Sequence, residues 1–236
     1  MSNKGILYLI PVTLGDSPIE QVIPSFNTRI INEIDVYIVE NIKTARRFLK
    51  KSGLLKEIDE LTFFELNKRT HITELSEFIK PIFDGKNVGI MSEAGCPGVA
   101  DPGADIVALA QQKNIKVVPL VGPSSILLAL MASGFNGQSF CFNGYLPKEQ
   151  KDRISKIKEL ERRVKTQQQT QLFIETPFRN DNILEDLLKN CFATTQLCIA
   201  VDITLTSERI TTKTIEEWKK IKLNLNKRPC IFFIGS

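Results

Sequence analysis

The sequence has 236 residues, of which 42% are hydrophobic and 25% are charged. These proportions are ordinary for a folded globular protein, and the longest strongly apolar stretch, ILLALMA at 126–132, is far shorter than the about 20 residues that cross a bilayer. The net charge of +4 is uneven: residues 1–146 carry 14 Lys and Arg against 15 Asp and Glu, and residues 147–236 carry 17 against 12. The basic second part suits an anionic partner such as nucleic acid, although well-solvated Lys-rich helices would look the same.

The cysteine pattern and the N-terminus indicate a cytoplasmic protein. The five cysteines are an odd number without a C-x-x-C pair, which favours reduced thiols over a disulfide framework or a zinc site. The first residues, MSNKG, lead into a strand without the pattern of a signal peptide.

Strands and helices alternate through the first part of the chain. Short β-branched or apolar runs predict strands at 6–10, 35–39, 61–66, 87–91 and 115–120. Helical patterns lie between them and after the last, at about 18–32, 43–52, 71–83, 103–113 and 123–133. Strands separated by helices of this length favour a parallel sheet with right-handed crossovers and helices on both faces.

The composition becomes polar and basic at GYLPKEQKDR, 144–153, which predicts a domain boundary near residue 147. Beyond it the pattern predicts helices at 150–165, 179–190 and around Trp218, and strands at 171–175, 197–203, 208–213 and 230–234. We therefore predict an α/β fold of two domains. Residues 1–146 would form a parallel sheet flanked by helices, and residues 147–236 would form a second α/β domain with a mixed sheet.

Three loops rich in Gly, Pro, Ser or Thr follow predicted parallel strands, at 11–18, 92–103 and 121–125. Ligands bind at this edge of open parallel sheets, although tight turns between strand and helix would have a similar composition. The long loop SEAGCPGVADPG contains two acids and no Lys or Arg. Neither G-x-G-x-x-G nor a P-loop motif is present. The loop thus suits a positively charged cofactor such as S-adenosylmethionine better than a polyphosphate.

Four stretches in this order strengthen the interpretation: LYLIPVTLGD (7–16), SEAGCPGVADPG (92–103), VVPLVGPSSILLALMASGF (117–135) and FCFNGYLPKE (140–149). Together they resemble the S-adenosylmethionine methyltransferases of the tetrapyrrole (corrin/porphyrin) methylase superfamily. Within it they are most similar to the branch that methylates a ribose 2′-oxygen of small-subunit ribosomal RNA. The resemblance implies a two-domain fold, a cofactor between the domains and a homodimer.

The resemblance also implies the cofactor-binding residues. Pro11 would flank the site, and the methionine portion would be held by Ser92, Glu93, Ala94, Gly95, Ser124 and Ser125. Backbone around Glu175 and Ala200 would enclose the adenosine.

The catalytic base is not identified by the sequence. A hydroxyl acceptor must lose a proton, and five residues near predicted strand ends are candidates: Glu40, Lys68, Glu93, Asp101 and Asp202. The single histidine, His71, is interpreted as structural or exposed, and no ligand cluster predicts a metal site.

The chain departs from the ribosomal RNA branch where that branch faces its substrate. The changed stretches are VENIKTARR (39–47), FELNKRTHI (64–72), VDITLTS (201–207) and NKRPCIFF (226–233). Three functions therefore stay open: a methyltransferase for RNA, a methyltransferase for a tetrapyrrole or other small molecule, and a non-catalytic module that binds S-adenosylmethionine or RNA.

Overall fold

A computed structural model describes residues 4–67, 70–71 and 73–235, and the chain forms two compact units that divide between Ser124 and Ser125. The predicted boundary after residue 146 therefore lies inside the second unit. Among the residues that the structure describes, no helix is both long enough and apolar enough to cross a membrane.

The first unit contains one sheet of five parallel strands in the order β3-β2-β4-β1-β5. The strands are β1 (Ile6–Leu9), β2 (Val36–Val39), β3 (Thr62–Glu65), β4 (Val88–Met91) and β5 (Lys116–Pro119). Tyr8, on the interior strand β1, lies opposite Gly89 of β4 on one side and Val118 of β5 on the other. β2 and β4 are buried along their whole length, which explains their nearly continuous apolar sequences.

The two faces of this sheet are covered by α2 (Ser25–Glu33), α3 (Ile42–Lys51), α4 (Leu75–Phe83) and α5 (Gly103–Gln112). A short helix, α1 (Ile19–Val22), precedes them and has no buried residue. The chain crosses the sheet in one direction from β1 to β3 and returns from β3 to β5, so right-handed crossovers put α2 and α3 opposite α4 and α5. The two core clusters agree with this arrangement. One joins α2 and α3 to Tyr37, and the other joins α4 and α5 to Ile38.

The second unit contains a mixed sheet in the order β6-β7-β10-β8-β9. Its strands are β6 (Phe140–Tyr145), β7 (Thr170–Ile174), β8 (Gln196–Val201), β9 (Arg209–Thr214) and β10 (Cys230–Gly235). Its helices are α6 (Ser125–Ser133), α7 (Gln150–Gln167), α8 (Asn180–Asn190) and α9 (Ile215–Trp218). β6 and β7 are parallel and the other pairs are antiparallel. The indole of Trp218 is buried in this core, and its Nε1 donates to the carbonyl of Leu197 at 2.8 Å.

At two places an element of the structure differs from what the sequence predicts. The helix predicted at 18–32 is two helices, because Ile23 adopts an extended conformation (φ −117°, ψ 121°) ahead of Pro24, as residues before proline tend to do. β6 was not among the predicted strands. It carries Gly144 at φ +63°, and its register with β7 shifts between Phe142 and Tyr145.

Candidate active site

The loops after β1, β4 and β5 meet at one edge of the first sheet. The Val12 amide in the first loop donates to the carbonyl of Gly95 in the second at 2.9 Å. The Cys96 thiol in the second loop donates to the carbonyl of Pro123 in the third at 3.4 Å. β1 and β4 are neighbouring strands, and the helices that follow them pack on opposite faces of the sheet. In open α/β sheets, a ligand-binding crevice forms at such a point.

Two glycines allow this close approach. Gly95 has φ +73°, a left-handed conformation that L side chains rarely adopt. A Cβ atom on Gly122 would lie 2.3 Å from the Cβ of Pro11. The third loop can therefore pack against Pro11 only because residue 122 has no side chain.

Asp101 fixes the shape of the long loop after β4. One carboxylate oxygen accepts the Gly98 amide at 2.8 Å and the other accepts the Gly103 amide at 2.6 Å. Ala100, between these amides, is held at φ +61°. Both oxygens of this candidate base are thus engaged in loop structure.

One cavity at this edge, which we call the first cavity, is apolar and has a volume of about 390 Å³. It is lined by Leu9, Pro11, Cys96, Pro97, Gly98, Val99, Ala104, Val107, Pro119 and Leu120. Burial raises the pKa of the Cys96 thiol, which keeps this group neutral near pH 7. Both the volume and the apolar lining are typical of small-molecule sites.

The second cavity is polar and has a volume of about 430 Å³. It is lined by Val12, Thr13, Gly15, Asp16, Thr44, Ala45, Arg47, Phe48, Lys51, Ser92 and Glu93. The Lys51 ammonium donates to Asp16 at 2.6 Å, and this hydrogen bond holds the pKa of the Asp16 carboxyl below its usual value. The Thr44 hydroxyl donates to Glu93 at 2.5 Å. This cavity offers both cationic and anionic groups to a ligand.

The first unit brings together five of the predicted cofactor residues: Pro11, Ser92, Glu93, Ala94 and Gly95. Pro11 lines the first cavity, whereas Ser92 and Glu93 line the second. Within the long loop, the Ser92 hydroxyl donates to the Ala94 carbonyl at 3.2 Å. Ser124 follows Pro123 directly and ends the first unit.

The other predicted cofactor residues lie in the second unit. Ser125 is the first residue of α6 and is half-buried. The carboxylate of Glu175 is buried and occupied, because it accepts from the Arg179 guanidinium at 2.5 Å and from the Thr176 amide at 2.7 Å. Ala200 is fully buried in β8 between Ile210 and Ile231.

The candidate bases are dispersed. Glu40 accepts the backbone amide of Glu93 at 3.1 Å, so these two acids are close. Asp202, in the second unit, is buried at φ +51° and accepts from Arg228 at 2.6 Å and from the Ser207 hydroxyl at 2.8 Å. Lys68 lies outside the described residues. Of the candidates that the structure describes, Glu93 lines the second cavity and Glu40 lies next to Glu93. Asp101 lies in the loop between β4 and α5.

His71 is exposed. Within the described part of the chain, no three His, Cys, Asp or Glu side chains gather as a metal site would require.

The part of the site contributed by α3 was not predicted from the sequence. Thr44, Arg47 and Lys51 line the second cavity together. Their spacing of three and four residues on a helix was a signal that could have identified a shared face.

Comparisons with known proteins agree with this architecture. Residues 29–219 match the family described as Tetrapyrrole (Corrin/Porphyrin) Methylases. The chain is 30% identical over 216 residues to the ribosomal RNA small subunit methyltransferase I of Halalkalibacterium halodurans, covering 91% of this chain and 70% of that protein. It is 25% identical over 236 residues to the protein of the same name from Escherichia coli O157:H7, covering 99% and 78%.

Solved structures show the same fold. The methyltransferase CobJ superposes with a TM-score of 0.66 at 16% identity, covering 98% of this chain and 94% of that one. A cobalt precorrin-4 methyltransferase from cobalamin biosynthesis gives 0.62 at 14% identity, covering 97% and 94%. A parallel five-stranded sheet with its glycine-rich loops at one edge, a second mixed sheet and these matches lead to one conclusion: the chain belongs to the tetrapyrrole methylases and is a methyltransferase.

Proposed function

We propose that the protein is an S-adenosylmethionine-dependent methyltransferase that acts on ribosomal RNA. The observation that carries this proposal is the similarity to proteins named ribosomal RNA small subunit methyltransferase I, at 30% identity over 91% of the chain. The corrin methyltransferases share the fold at about half that identity. The basic second part of the chain is consistent with a polyanionic acceptor.

The residues at the sheet edge fit this cofactor. The first cavity has an apolar lining of suitable volume, and the absence of a side chain on Gly122 keeps the loop close to Pro11. We propose that Pro11, Ser92–Gly95 and Ser124 hold the methionine portion, and that Ser125 adds its hydroxyl. Glu175 and Ala200 remain proposed contacts of the adenosine through their backbone, because the Glu175 carboxylate is occupied by Arg179.

The cofactor supplies a methyl group on a sulfonium, a good leaving group, so the chain's task is mainly one of orientation. Holding acceptor and donor in line contributes roughly 7–11 kcal/mol to lowering a barrier. The ribose 2′-oxygen as acceptor is the finer part of the proposal. Glu93 lines the polar cavity and Glu40 accepts its backbone amide, and these two acids are our candidates for receiving the proton of that oxygen.

Transfer of tritium from labelled S-adenosylmethionine tests this function. We expect label in small-subunit ribosomal RNA from cells lacking the protein, and little label in the same RNA from cells that contain it, since its sites are already methylated. Methylation of a 2′-oxygen would make the labelled linkage resistant to alkali. Label that enters only the small-molecule fraction would favour the tetrapyrrole alternative, which the fold neighbours and the family description support. No label in either fraction would contradict both.

The cytoplasmic location and the homodimer stay predictions. Analytical ultracentrifugation of the full chain would test the second, with twice the mass of 26.6 kDa as the expected result.

A further inference from the structure

Helix α7 is buried along one side and carries exposed Lys and Arg side chains along the other. Its buried residues are Arg153, Ile157, Leu160, Glu161 and Val164. The exposed side carries Lys151, Lys158, Arg162 and Lys165. At 100° per residue these four cations fall within about 60° of one another, on the side away from the core, and at 1.5 Å per residue they extend over about 21 Å. We call these four residues the cationic stripe.

The residues of the stripe differ from the other cations of α7, which form ion pairs with carboxylates. Lys156 and Arg163 both pair with Glu159 on the flank of the helix. Lys151, Lys158 and Arg162 have no carboxylate partner among the residues that the structure describes, and no acid of α7 lies within the stripe. Positive charge is therefore concentrated on one line instead of being neutralised along it.

An exposed aromatic ring lies at the C-terminal end of the stripe. The side chain of Phe192 is 61% exposed, and the Lys165 ammonium lies 3.6 Å from the centre of its ring. Glu161 fixes the backbone here, because its carboxylate accepts the Phe192 amide at 2.8 Å and also the Thr195 hydroxyl. A ring held in this way offers a stacking surface for an unpaired base.

The helix itself is firmly anchored. Arg153 donates to Asp186 on α8 at 2.7 Å and to the Lys148 carbonyl at 2.6 Å, and both side chains of the ion pair are buried. Gln150 donates to the second oxygen of Asp186 at 3.0 Å. The stripe is thus a line of charges on a rigid element, which lowers the entropic cost of binding an extended polyanion.

From these observations we propose that the cationic stripe, with Phe192 at its end, binds the phosphodiester backbone of single-stranded RNA. This inference rests on the proposed function, since it assigns a surface to the RNA acceptor. Unpaired cations in a row attract a polyanion whose counterions are released on binding, and the adjacent aromatic ring offers a stacking surface for a base of that polyanion.

The test uses the full chain and the triple variant Lys151→Gln, Lys158→Gln, Arg162→Gln. The probe is a fluorescein-labelled, mixed-sequence, single-stranded RNA of 20 nucleotides, followed by anisotropy at several salt concentrations. We expect the variant to bind RNA at least roughly tenfold more weakly. We also expect the slope of log K against log salt concentration to be smaller in magnitude by about 2, because each of the three phosphates that the variant no longer neutralises contributes about 0.7. The variant Phe192→Ala should lose affinity without a change in that slope.

A matched control removes the same charge elsewhere in the second unit: Lys189→Gln, Lys220→Gln, Lys222→Gln, all exposed in the structure. This control should bind RNA as the wild type does, and Trp218 emission confirms that each variant is folded. Equal losses in both triple variants would overturn the proposal, as would wild-type binding that is absent or insensitive to salt. Stronger binding to phosphatidylserine vesicles than to RNA, abolished in the stripe variant, would also overturn it.

Failure of the inference can be distinguished from failure of the proposed function. If the wild type methylates small-subunit ribosomal RNA and the stripe variant does so with an unchanged KM, the function stands and the assigned surface is wrong. If the wild type transfers no methyl group to RNA, the function itself is wrong.

Discussion

At the residue scale, Asp101 shows how one side chain can determine a loop. Its two oxygens accept amides from both sides of a strained Ala100. The sequence predicts Asp101 as a candidate base, because it is an acid near the end of a predicted strand. The hydrogen bonds that occupy both of its oxygens are visible only in the structure.

Replacing Asp101 by Asn therefore tests a structural role against a catalytic one. The amide group of Asn offers one acceptor where the loop needs two, so we expect the free energy of unfolding to fall by about 1–3 kcal/mol. Urea denaturation followed by circular dichroism measures this change, with the exposed Asp105→Asn as control. Unchanged stability combined with lost methyl transfer would instead identify Asp101 as a base.

Cys96 provides a second test at this scale, because it lines the apolar cavity and is half-buried. We expect S-adenosylhomocysteine to slow alkylation of Cys96 by iodoacetamide several-fold at pH 9. Because burial raises the pKa of this thiol, the reactive thiolate is more abundant at this pH than near neutrality. Cys141, half-buried in the second unit, is the control and should react at the same rate with and without ligand. Mass spectrometry of each peptide measures both rates. Equal rates for Cys96 would show that the ligand does not occupy this cavity.

At the scale of elements, α7 and α8 are joined by a buried ion pair. The Arg153 and Asp186 side chains are only 7% and 3% exposed, so neither charge can be solvated if its partner is removed. Lys189 and Glu185 form an exposed pair on the same helix α8.

We expect Asp186→Ala to lower the free energy of unfolding by about 3–5 kcal/mol, because it leaves the Arg153 guanidinium buried without a carboxylate to balance its charge. Glu185→Ala should change it by less than about 1 kcal/mol, as is usual for exposed pairs. Urea denaturation followed by Trp218 fluorescence measures both, since the only tryptophan of the chain lies in the second unit. Equal effects of the two substitutions would contradict the role of the buried pair.

The elements also show what could be predicted from the sequence. All five strands of the first sheet were found, because each contains a short run of β-branched or apolar residues, in the edge strands β3 and β5 as well as in the buried strands β2 and β4. β6 was missed, because Asn143 and the left-handed Gly144 interrupt its pattern. The polar cavity could not be predicted either. It depends on contacts distant in sequence, such as Lys51 with Asp16 and Thr44 with Glu93.

At the scale of the whole molecule, the fold and the family agree, and the sequence resemblance anticipated both. The family is a methyltransferase family whose curated relatives include ribosomal RNA enzymes. The compact units divide between Ser124 and Ser125, and the domain boundary near residue 147, which rests on the change in composition at 144–153, stays a prediction.

The central claim is that the three loops at the edge of the first sheet hold S-adenosylmethionine, and calorimetric titration with S-adenosylhomocysteine tests it most directly. We predict one site per chain in the wild type, unchanged in Gly137→Ala, whose added Cβ would meet nothing within 4 Å. In Gly122→Ala the new Cβ would collide with Pro11, and we predict affinity at least roughly tenfold weaker, about 1.4 kcal/mol. No binding at a millimolar concentration, or equal affinities in all three proteins, would contradict the claim.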